Sequence, residues 1–255
     1  MTRIYHIVYF TYDNSLYMFF RGCNFNCVGC ILKLSAWDCH LTADIRSQLD
    51  SLIGVRTLNF KEMQKIIEPL GVDRVVLGGG EPTIDAEIVD VVRWLNSIGV
   101  KTILLTNGYA LSEDRVRELE ANGLNEICVS IKAVSDIIHV RYTGKSNEKV
   151  LKNFKLLTKC GIRLRAESVL IPGLIEAAEI KNIARFIASV DSSIPYRIDG
   201  YTPVPGTPWR QPSKEEVFGA VKVAGEYLEN VSCIYSEMEL KGNVHIVYPL
   251  LHKGH

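Results

Sequence analysis

The feature that most constrains this chain is an alternation of two kinds of segment that repeats between residues 16 and 201. A short apolar run with strand character is followed each time by an amphipathic segment with helical period. Strands that alternate with helices of this length indicate βαβ units and a parallel sheet. The six predicted strands are 16–21, 73–78, 101–106, 126–131, 163–171 and 196–201.

Helix-start signals support the same alternation. Asn59 with Glu62, and Ser213 with Glu216, match the capping-box pattern, in which the first and fourth residues bond each other's backbone. Ser112 can cap a third helix. The predicted helical segments are 59–70, 84–95, 112–122, 147–161, 180–187 and 213–228.

Six βα units are fewer than the eight that close a full barrel. We therefore predict an α/β fold, an incomplete (βα)6 TIM-like barrel with a short C-terminal extension; an open doubly wound sheet is the alternative. We expect a single domain over 1–255, with a core at 16–201, an N-terminal hairpin at 1–15 and a C-terminal helix and tail at 202–255, including a weak edge strand at 244–248. Both architectures put active-site residues at the carboxyl ends of the strands.

Composition excludes several classes of protein. The 255 residues carry 29 Lys+Arg and 29 Asp+Glu, and 47% are hydrophobic, which is enough for an ordinary core. A neutral chain has no overall field that attracts nucleic acid or anionic lipid, although a local basic groove is compatible with that total. No apolar run approaches the roughly 18 residues of a membrane span, and the N-terminus lacks a signal-peptide pattern. We expect a cytoplasmic protein that does not bind membrane, and the charge balance disfavours a nucleic-acid partner.

Three of the seven cysteines lie within eight residues, directly after the first predicted strand. Cys23, Cys27 and Cys30 are separated by three and then two residues. In a reducing compartment such spacing indicates a metal site, and thiolates bind iron–sulfur clusters or zinc. An electron-carrying ferredoxin supplies four cysteines per cluster. Here only three cysteines are grouped, and the next one along the chain, Cys39, lies outside the group. The spacing leaves three interpretations open: a cluster with one open iron, a structural zinc site, or an electron carrier.

A second motif ends the second predicted strand. Gly78, Gly79 and Gly80 are followed by Glu81 and Pro82. Glycines permit close approach of a ligand to the backbone, and Glu81 adds a carboxylate at a strand end. Both motifs therefore occupy the predicted active-site edge.

Together the two motifs resemble those of the radical S-adenosylmethionine (SAM) superfamily. The resemblance implies a [4Fe-4S] cluster held by Cys23, Cys27 and Cys30, with SAM on the fourth iron and the Gly-Gly-Glu-Pro turn holding the SAM amino group. Further matches are similar to the glycyl-radical-enzyme activating enzymes, such as pyruvate formate-lyase activating enzyme. They are Thr106-Asn107-Gly108, Ile131-Lys132-Ala133, His139 with Tyr142-Thr143-Gly144, Asn153 and Pro172-Gly173.

Several positions depart from that family. Its acidic residues before Thr-Asn-Gly and before x-Lys-Ala, which help to bind a monovalent cation, are replaced by Leu105 and Ser130, so that cation site is absent or rebuilt. Its SAM-contacting Arg is replaced by Glu167, and we expect Arg165 to substitute. Its aromatic residue before the third cysteine, which stacks on adenine, is replaced by Gly29. The candidate cofactor-binding residues are Gly78, Gly79, Gly80, Glu81, Pro82, Thr106, Asn107, Ser130, Lys132 and Arg165.

The resemblance implies a radical SAM oxidoreductase. It would reductively cleave SAM to a 5′-deoxyadenosyl radical, abstract a substrate hydrogen and activate a glycyl radical enzyme. A flavodoxin or ferredoxin would be the electron donor. The alternatives are modification of another peptide, an RNA or a small cofactor precursor, and, outside enzymes, an iron–sulfur electron carrier.

The remaining cysteines and histidines have structural interpretations. Cys128, Cys160 and Cys233 are expected to be core thiols. Cys39 could reach the cysteine loop, and His139 could make a helix-start contact or take part in catalysis. His245, His252 and His255 are expected at the surface or in the tail. The proline-rich segment 201–209 is either a loop over the barrel mouth or a plain connector.

Overall fold

The computed structural model describes residues 1–239 and 241–251. The chain begins with a hairpin of β1 (Ile4–Phe10) and β2 (Ser15–Phe20), which pair antiparallel. Asn14 takes a positive φ of 49° in the turn, and its side chain donates to Asp73 Oδ2 at 2.9 Å. The predicted N-terminal hairpin and its turn are thus confirmed. His252 and His255 lie outside the described residues.

Strand β2 also begins a run of parallel strands that forms most of the sheet. The sheet order is β8-β7-β6-β5-β4-β3-β2-β1-β9, and every neighbouring pair from β2 to β8 is parallel. The remaining strands are β3 (Arg74–Gly79), β4 (Lys101–Thr106), β5 (Glu126–Ser130), β6 (Arg163–Leu170), β7 (Tyr196–Gly200), β8 (Val231–Ile234) and β9 (Val244–Tyr248). All six predicted parallel strands are present, and the predicted edge strand is β9, which pairs with β1.

The structure adds a seventh parallel strand. Strand β8 pairs with β7, so the βα alternation continues past residue 201 into the segment predicted to be a tail. Its four residues alternate between half-buried and exposed, which gives a weak sequence signal. Seven parallel strands still fall short of eight, and β8 and β9 remain at the two edges of an open sheet. The predicted incomplete barrel is confirmed, with one more parallel strand than expected.

Helices connect the parallel strands. They are α1 (Ala43–Asp50), α2 (Phe60–Ile67), α3 (Ile88–Ser97), α4 (Glu113–Ala121), α5 (Asp136–Thr143), α6 (Glu148–Leu157), α7 (Ala177–Ala188) and α8 (Lys214–Ala224). The capping boxes of Asn59 with Glu62 and of Ser213 with Glu216 are both formed. In the described residues, no helix combines the length and apolar character needed to cross a membrane.

Two helices lacked a periodic pattern and were not predicted. In α1 only Leu49 is buried, so no apolar stripe marks the helix. In α5 the buried side chains are His139, Tyr142 and Thr143, while Ile137 is exposed, which inverts the usual pattern. Contacts with the rest of the protein, rather than amphipathicity, therefore determine these two helices.

A second core cluster covers the hairpin side of the sheet. Trp37, Leu41 and Leu49, from the segment between β2 and α2, pack with Phe19 and the β1 side chains Tyr5 and Val8. This packing closes one flank of the open barrel and leaves the carboxyl ends of the strands accessible.

Candidate active site

The loops at the carboxyl ends of the parallel strands surround a cavity of about 310 Å³. Ten of the predicted site residues line it: Cys23, Cys27, Cys30, Gly79, Gly80, Glu81, Thr106, Asn107, Ser130 and Lys132. Gly78, Pro82 and Arg165 are not among its lining residues. The topology thus brings together motifs that lie more than 100 residues apart in sequence.

The cysteine loop is held by helix α5. The backbone N–H groups of Asn26 and Val28 donate to the carbonyls of Thr143 and Tyr142 at 3.0 and 2.9 Å. The Tyr142 hydroxyl donates to the Gly29 carbonyl at 3.1 Å. The His139–Tyr142–Thr143 motif therefore acts as a clamp on the loop that carries the cysteines.

His139 is fully buried inside this clamp and does not line the cavity. Its Nδ1 lies 2.6 Å from the Lys145 carbonyl, and its ring packs edge-on to Phe25 at 5.5 Å. Burial lowers the pKa of His139 and favours the neutral ring. Of the two sequence interpretations, the geometry supports a structural contact, made to Lys145, two residues beyond the end of α5.

The glycine turn requires residues without side chains. A Cβ on Gly80 would lie 2.2 Å from the Gly22 carbonyl oxygen, and one on Gly78 would lie 2.2 Å from the Tyr17 hydroxyl. Glu81 N–H donates to the same Gly22 carbonyl at 2.9 Å. The turn is thereby joined to the residue that precedes Cys23. Gly78 is thus required for packing rather than for lining the cavity.

The Glu81 carboxylate connects two of the site's turns. Its Oε1 accepts from the Thr83 N–H, the Thr83 hydroxyl and the Thr106 hydroxyl at 3.0, 2.5 and 2.7 Å. Its Oε2 accepts from the Asn107 N–H at 2.7 Å. Burial raises the pKa of Glu81, and these donors oppose that rise. The carboxylate is therefore used mainly to hold the ends of β3 and β4 together.

The strand ends also orient polar groups around the sulfurs. Asn107 Nδ2 lies 3.6 Å from Cys23 Sγ, and the Phe25 N–H donates to the same sulfur at 3.3 Å. Lys132 Nζ donates to Ser130 Oγ at 2.5 Å. Burial raises the pKa of Cys27 to about 11, and the nearby Lys132 ammonium opposes that rise. Lys132 is thus the cationic side chain of the cavity that most favours the ionised form of the Cys27 thiol.

Aromatic residues from other elements occupy the space beside Gly29. A Cβ there would lie 2.8 Å from Tyr201 Cε2 and 3.2 Å from a Tyr142 ring carbon. Both tyrosines line the cavity, and the buried Trp209 packs against both rings. The start of segment 201–209 therefore lies at the cavity mouth, as one of its two interpretations proposed. The sequence signal that could have found Tyr201 is its position as the final residue of the last predicted strand, which in the structure ends at Gly200.

Arg165 does not reach the cavity. Its guanidinium bonds Glu126 at 2.8 Å near the amino end of β5. A different arginine contacts the cavity wall. The Arg197 guanidinium donates to Glu167 at 2.7 Å and to Asp199 at 2.8 Å. Glu167 and Asp199 line the cavity, and Arg197 is the cross-strand partner of Glu167. The expectation that Arg165 faces the site therefore finds no support in the structure.

The other cysteines do not line the cavity. Cys128 is buried, and Cys160 and Cys233 are half-buried. Cys39 is exposed beside Asp38 and His40, the one His/Cys/Asp/Glu group in the described residues whose ligand atoms all lie within 4.8 Å of one another. The Cys23, Cys27 and Cys30 sulfurs therefore do not all lie within 4.8 Å of one another. Tetrahedral zinc needs sulfurs about 3.8 Å apart, from its ~2.3 Å bonds, so at least one pair of these sulfurs is wider than a zinc site requires.

The fold and site define a class: a partial-barrel enzyme whose strand-end loops present three thiols, a glycine turn and a lysine to one cavity. The chain belongs to the radical SAM superfamily, whose sequence profile matches residues 17–187. Enzymes of this superfamily use a [4Fe-4S] cluster and SAM. The three thiols and the cavity-lining backbone of Gly79 and Gly80 fit that pair.

Two relatives differ in the activity they are named for. A Methanocaldococcus jannaschii protein, provisionally named a glycyl-radical enzyme activating enzyme, is 30% identical over 217 residues, covering 83% of this chain and 77% of that one. A Pyrococcus abyssi protein, provisionally named a GTP 3′,8-cyclase, is 30% identical over 179 residues, covering 68% of this chain. The chain spans only 52% of the cyclase's length.

A solved structure supports the fold. A domain of pyruvate-formate lyase-activating enzyme from Bacteroides vulgatus superposes with a TM-score of 0.55 at 20% identity. The match covers 64% of this chain and 98% of that domain. At this identity the likeness concerns the architecture of the barrel alone.

Proposed function

We propose that this protein is a radical SAM enzyme that activates a glycyl radical enzyme. The observation that carries the proposal is the relative provisionally named a glycyl-radical enzyme activating enzyme, which aligns over most of both chains. The geometry is consistent with it, because the cavity opens at the strand ends of an incomplete barrel, where a protein loop can enter.

In this proposal Cys23, Cys27 and Cys30 hold the cluster, and SAM occupies the rest of the cavity. When bound, the two cofactors supply one-electron cleavage of the sulfonium and a radical at the 5′ carbon that removes a substrate hydrogen. The α5 clamp holds the cysteine loop rigid through its backbone hydrogen bonds. Glu81 fixes the glycine turn and Thr106–Asn107, so their positions are set before cofactor binds.

Three further groups would orient SAM. The Lys132 ammonium is the candidate partner for the SAM carboxylate, since it lies in the cavity and donates a hydrogen bond to the neutral Ser130 hydroxyl. The backbone of Gly79 and Gly80 is open to the SAM amino group. The rings of Tyr201 and Tyr142 offer the adenine an apolar surface beside Gly29.

The proposal predicts SAM cleavage that depends on the three cysteines. After anaerobic reconstitution with iron and sulfide, dithionite and SAM should yield 5′-deoxyadenosine and methionine. Serine at position 23, 27 or 30 should abolish both the cluster absorbance and this yield, because a hydroxyl is a poor ligand for a soft cluster. Cys39→Ser is the matched control and should retain both. Retained cleavage in Cys27→Ser would contradict the site assignment.

The relative provisionally named a GTP 3′,8-cyclase favours a second candidate, modification of a small molecule. The reconstituted enzyme should therefore be given either a glycyl radical enzyme from the same genome or GTP. We expect a glycyl-radical doublet by electron paramagnetic resonance with the protein and no new product from GTP. A GTP-derived product without a protein radical would favour the second candidate.

A further inference from the structure

A stripe of lysines follows one face of helix α6, beside the cysteine loop. Lys149, Lys152 and Lys155 are spaced three residues apart on α6, Lys159 lies two residues beyond the end of the helix, and all four are exposed. They line a surface groove of about 660 Å³ together with Tyr109 and Glu113. Glu113, its one acidic lining residue, pairs with Arg117.

These lysines are free of ion pairs. None of the salt bridges within residues 1–239 and 241–251 involves any of the four, whereas arginines supply most of those bridges. The whole chain is neutral, so the stripe is a local departure from the overall balance. An unneutralised cationic face on a neutral protein attracts and orients an anionic partner.

The stripe is in contact with the cysteine loop through two aromatic rings. Lys149 Nζ lies 5.1 Å from the centroid of the Tyr109 ring, and Lys145 Nζ lies 4.7 Å from it. The Tyr109 ring packs edge-on against Phe25 at 5.4 Å. Phe25 lies between Cys23 and Cys27, and its N–H contacts Cys23 Sγ at 3.3 Å. A continuous path of packed groups thus joins the surface to a cluster ligand.

The stripe is also fixed in position relative to that ligand. Asn153 on α6 donates to the Gly108 carbonyl at 2.8 Å. Gly108 follows Asn107, whose side chain contacts Cys23 Sγ and accepts from the Tyr109 N–H at 3.0 Å. A partner docked on α6 would therefore sit at a constant distance from the cysteine loop.

From these observations we infer that the α6 lysine stripe is the docking surface for the enzyme's electron donor, a small acidic redox protein. The inference rests on the proposed function, which requires an electron at the cysteine-bound group. One electron passes from the donor to that group, so the donor is oxidised by one electron and the group is reduced by one electron. No bond forms or breaks. A nucleic acid would also be attracted by the lysines, but it is not an electron donor, so the aromatic path to Cys23 would have no role in its binding.

The test compares two matched double variants of the reconstituted enzyme. Lys149→Glu/Lys152→Glu reverses two charges in the stripe, and Lys61→Glu/Lys65→Glu reverses two exposed lysines on α2, with one lysine of each pair at the second residue of its helix. Binding of a flavodoxin and of a two-cluster ferredoxin is measured by titration at low and high salt. SAM cleavage is measured with each donor and, separately, with dithionite.

The stripe variant should bind the acidic donor about tenfold more weakly at low salt, and the difference should shrink at high salt because screening removes it. Donor-driven cleavage should fall in parallel, while dithionite-driven cleavage and the α2 variant stay at the wild-type level. Equal donor binding by both variants, or no binding of either donor to wild type, would overturn the inference. So would tight binding of a 20-nucleotide RNA that the stripe variant loses while donor binding is unchanged. Absence of dithionite-driven cleavage in wild type would instead contradict the proposed function.

Discussion

Single residues in this site have roles that their motif alone does not specify. Glu81 matches a motif that implies contact with SAM, yet four protein donors already surround its carboxylate. An ionised carboxylate has about four acceptor positions, so little capacity remains for a ligand. The residue is needed chiefly because it ties the glycine turn to the end of β4. Gly29 likewise lacks the expected aromatic ring, and Tyr201 with Tyr142 occupies the adjacent space.

Replacing the Tyr201 ring should weaken SAM binding specifically. We expect Tyr201→Leu to raise KM for SAM about tenfold, since stacking on an aromatic side chain is worth about 1–3 kcal/mol per base. Tyr201→Phe is the control; it keeps the ring but loses the hydroxyl bonds to Thr207 and the Val204 N–H. If Phe is as impaired as Leu, the hydroxyl rather than the ring is what matters.

Leu105 and Ser130, which replace acidic residues of the family, predict that SAM cleavage does not depend on monovalent cations. The Leu105 side chain has no oxygen ligand for a cation, and Ser130 Oγ already accepts a hydrogen bond from the Lys132 ammonium. Dithionite-driven SAM cleavage should change less than about twofold when K⁺ is replaced by Na⁺ or tetramethylammonium at constant ionic strength. A tenfold dependence on K⁺ would show that other ligands rebuild the cation site.

Among the secondary-structure elements, two neighbouring helices fix different segments around the cysteine loop. Helix α5 clamps the loop through backbone hydrogen bonds, and α6 anchors the turn after β4 through Asn153. The sequence predicted α6 from its apolar stripe but not α5, whose buried residues are the clamp itself. The short β8 was missed for a similar reason, because its sheet partner rather than its own pattern defines it.

Strand β1 contains a group that should make the fold sensitive to acid. His6 is fully buried in the second core cluster, with Nδ1 2.9 Å from the Tyr248 carbonyl and Nε2 accepting the Asp38 N–H. Burial lowers its pKa to about 4, although the Tyr248 carbonyl and the Asp38 carboxylate oppose that shift. The unfolded chain therefore binds this proton more readily, so stability is full above pH ~6.5 and is lost as pH falls toward 4.

The expected loss over that window is about 3 kcal/mol, from roughly 1.4 kcal/mol per pKa unit. Urea unfolding at pH 7, 5.5 and 4.5 measures it as a falling free energy of unfolding. His6→Gln should flatten the pH dependence, whereas His245→Gln, at an exposed position, should leave it as in wild type. A wild-type slope retained in His6→Gln would assign the effect to other groups.

At the scale of the whole molecule, the site is built from loops that belong to different βα units. The cysteines follow β2, the glycine turn follows β3, Thr106 and Asn107 end β4, and Lys132 follows β5. A group bound in the cavity would therefore add contacts between segments that are already joined by hydrogen bonds such as those of Glu81 and by packing such as that of Phe25 on Tyr109. Binding to the folded state alone stabilises it.

Removal of the cluster should consequently lower the melting temperature of the whole domain. We expect a loss of at least about 5 °C on anaerobic chelation, because roughly 2–4 °C corresponds to 1 kcal/mol in a protein near this size. Cys39→Ser should show the same shift, and Cys27→Ser should start from the lower value and show none. An unchanged melting temperature in wild type would mean that the cluster contributes nothing to the fold.

The sequence alone was enough to predict the βα alternation, the capping boxes, the three thiols and the glycine turn, because each depends on neighbouring residues and local periodicity. Three findings required the tertiary structure: Arg165 pairs with Glu126, Arg197 pairs with Glu167, and Tyr201 lies beside Gly29. Those contacts join residues far apart in sequence, across strands or between loops. Sheet register and loop packing fix such distances, and no local pattern carries them.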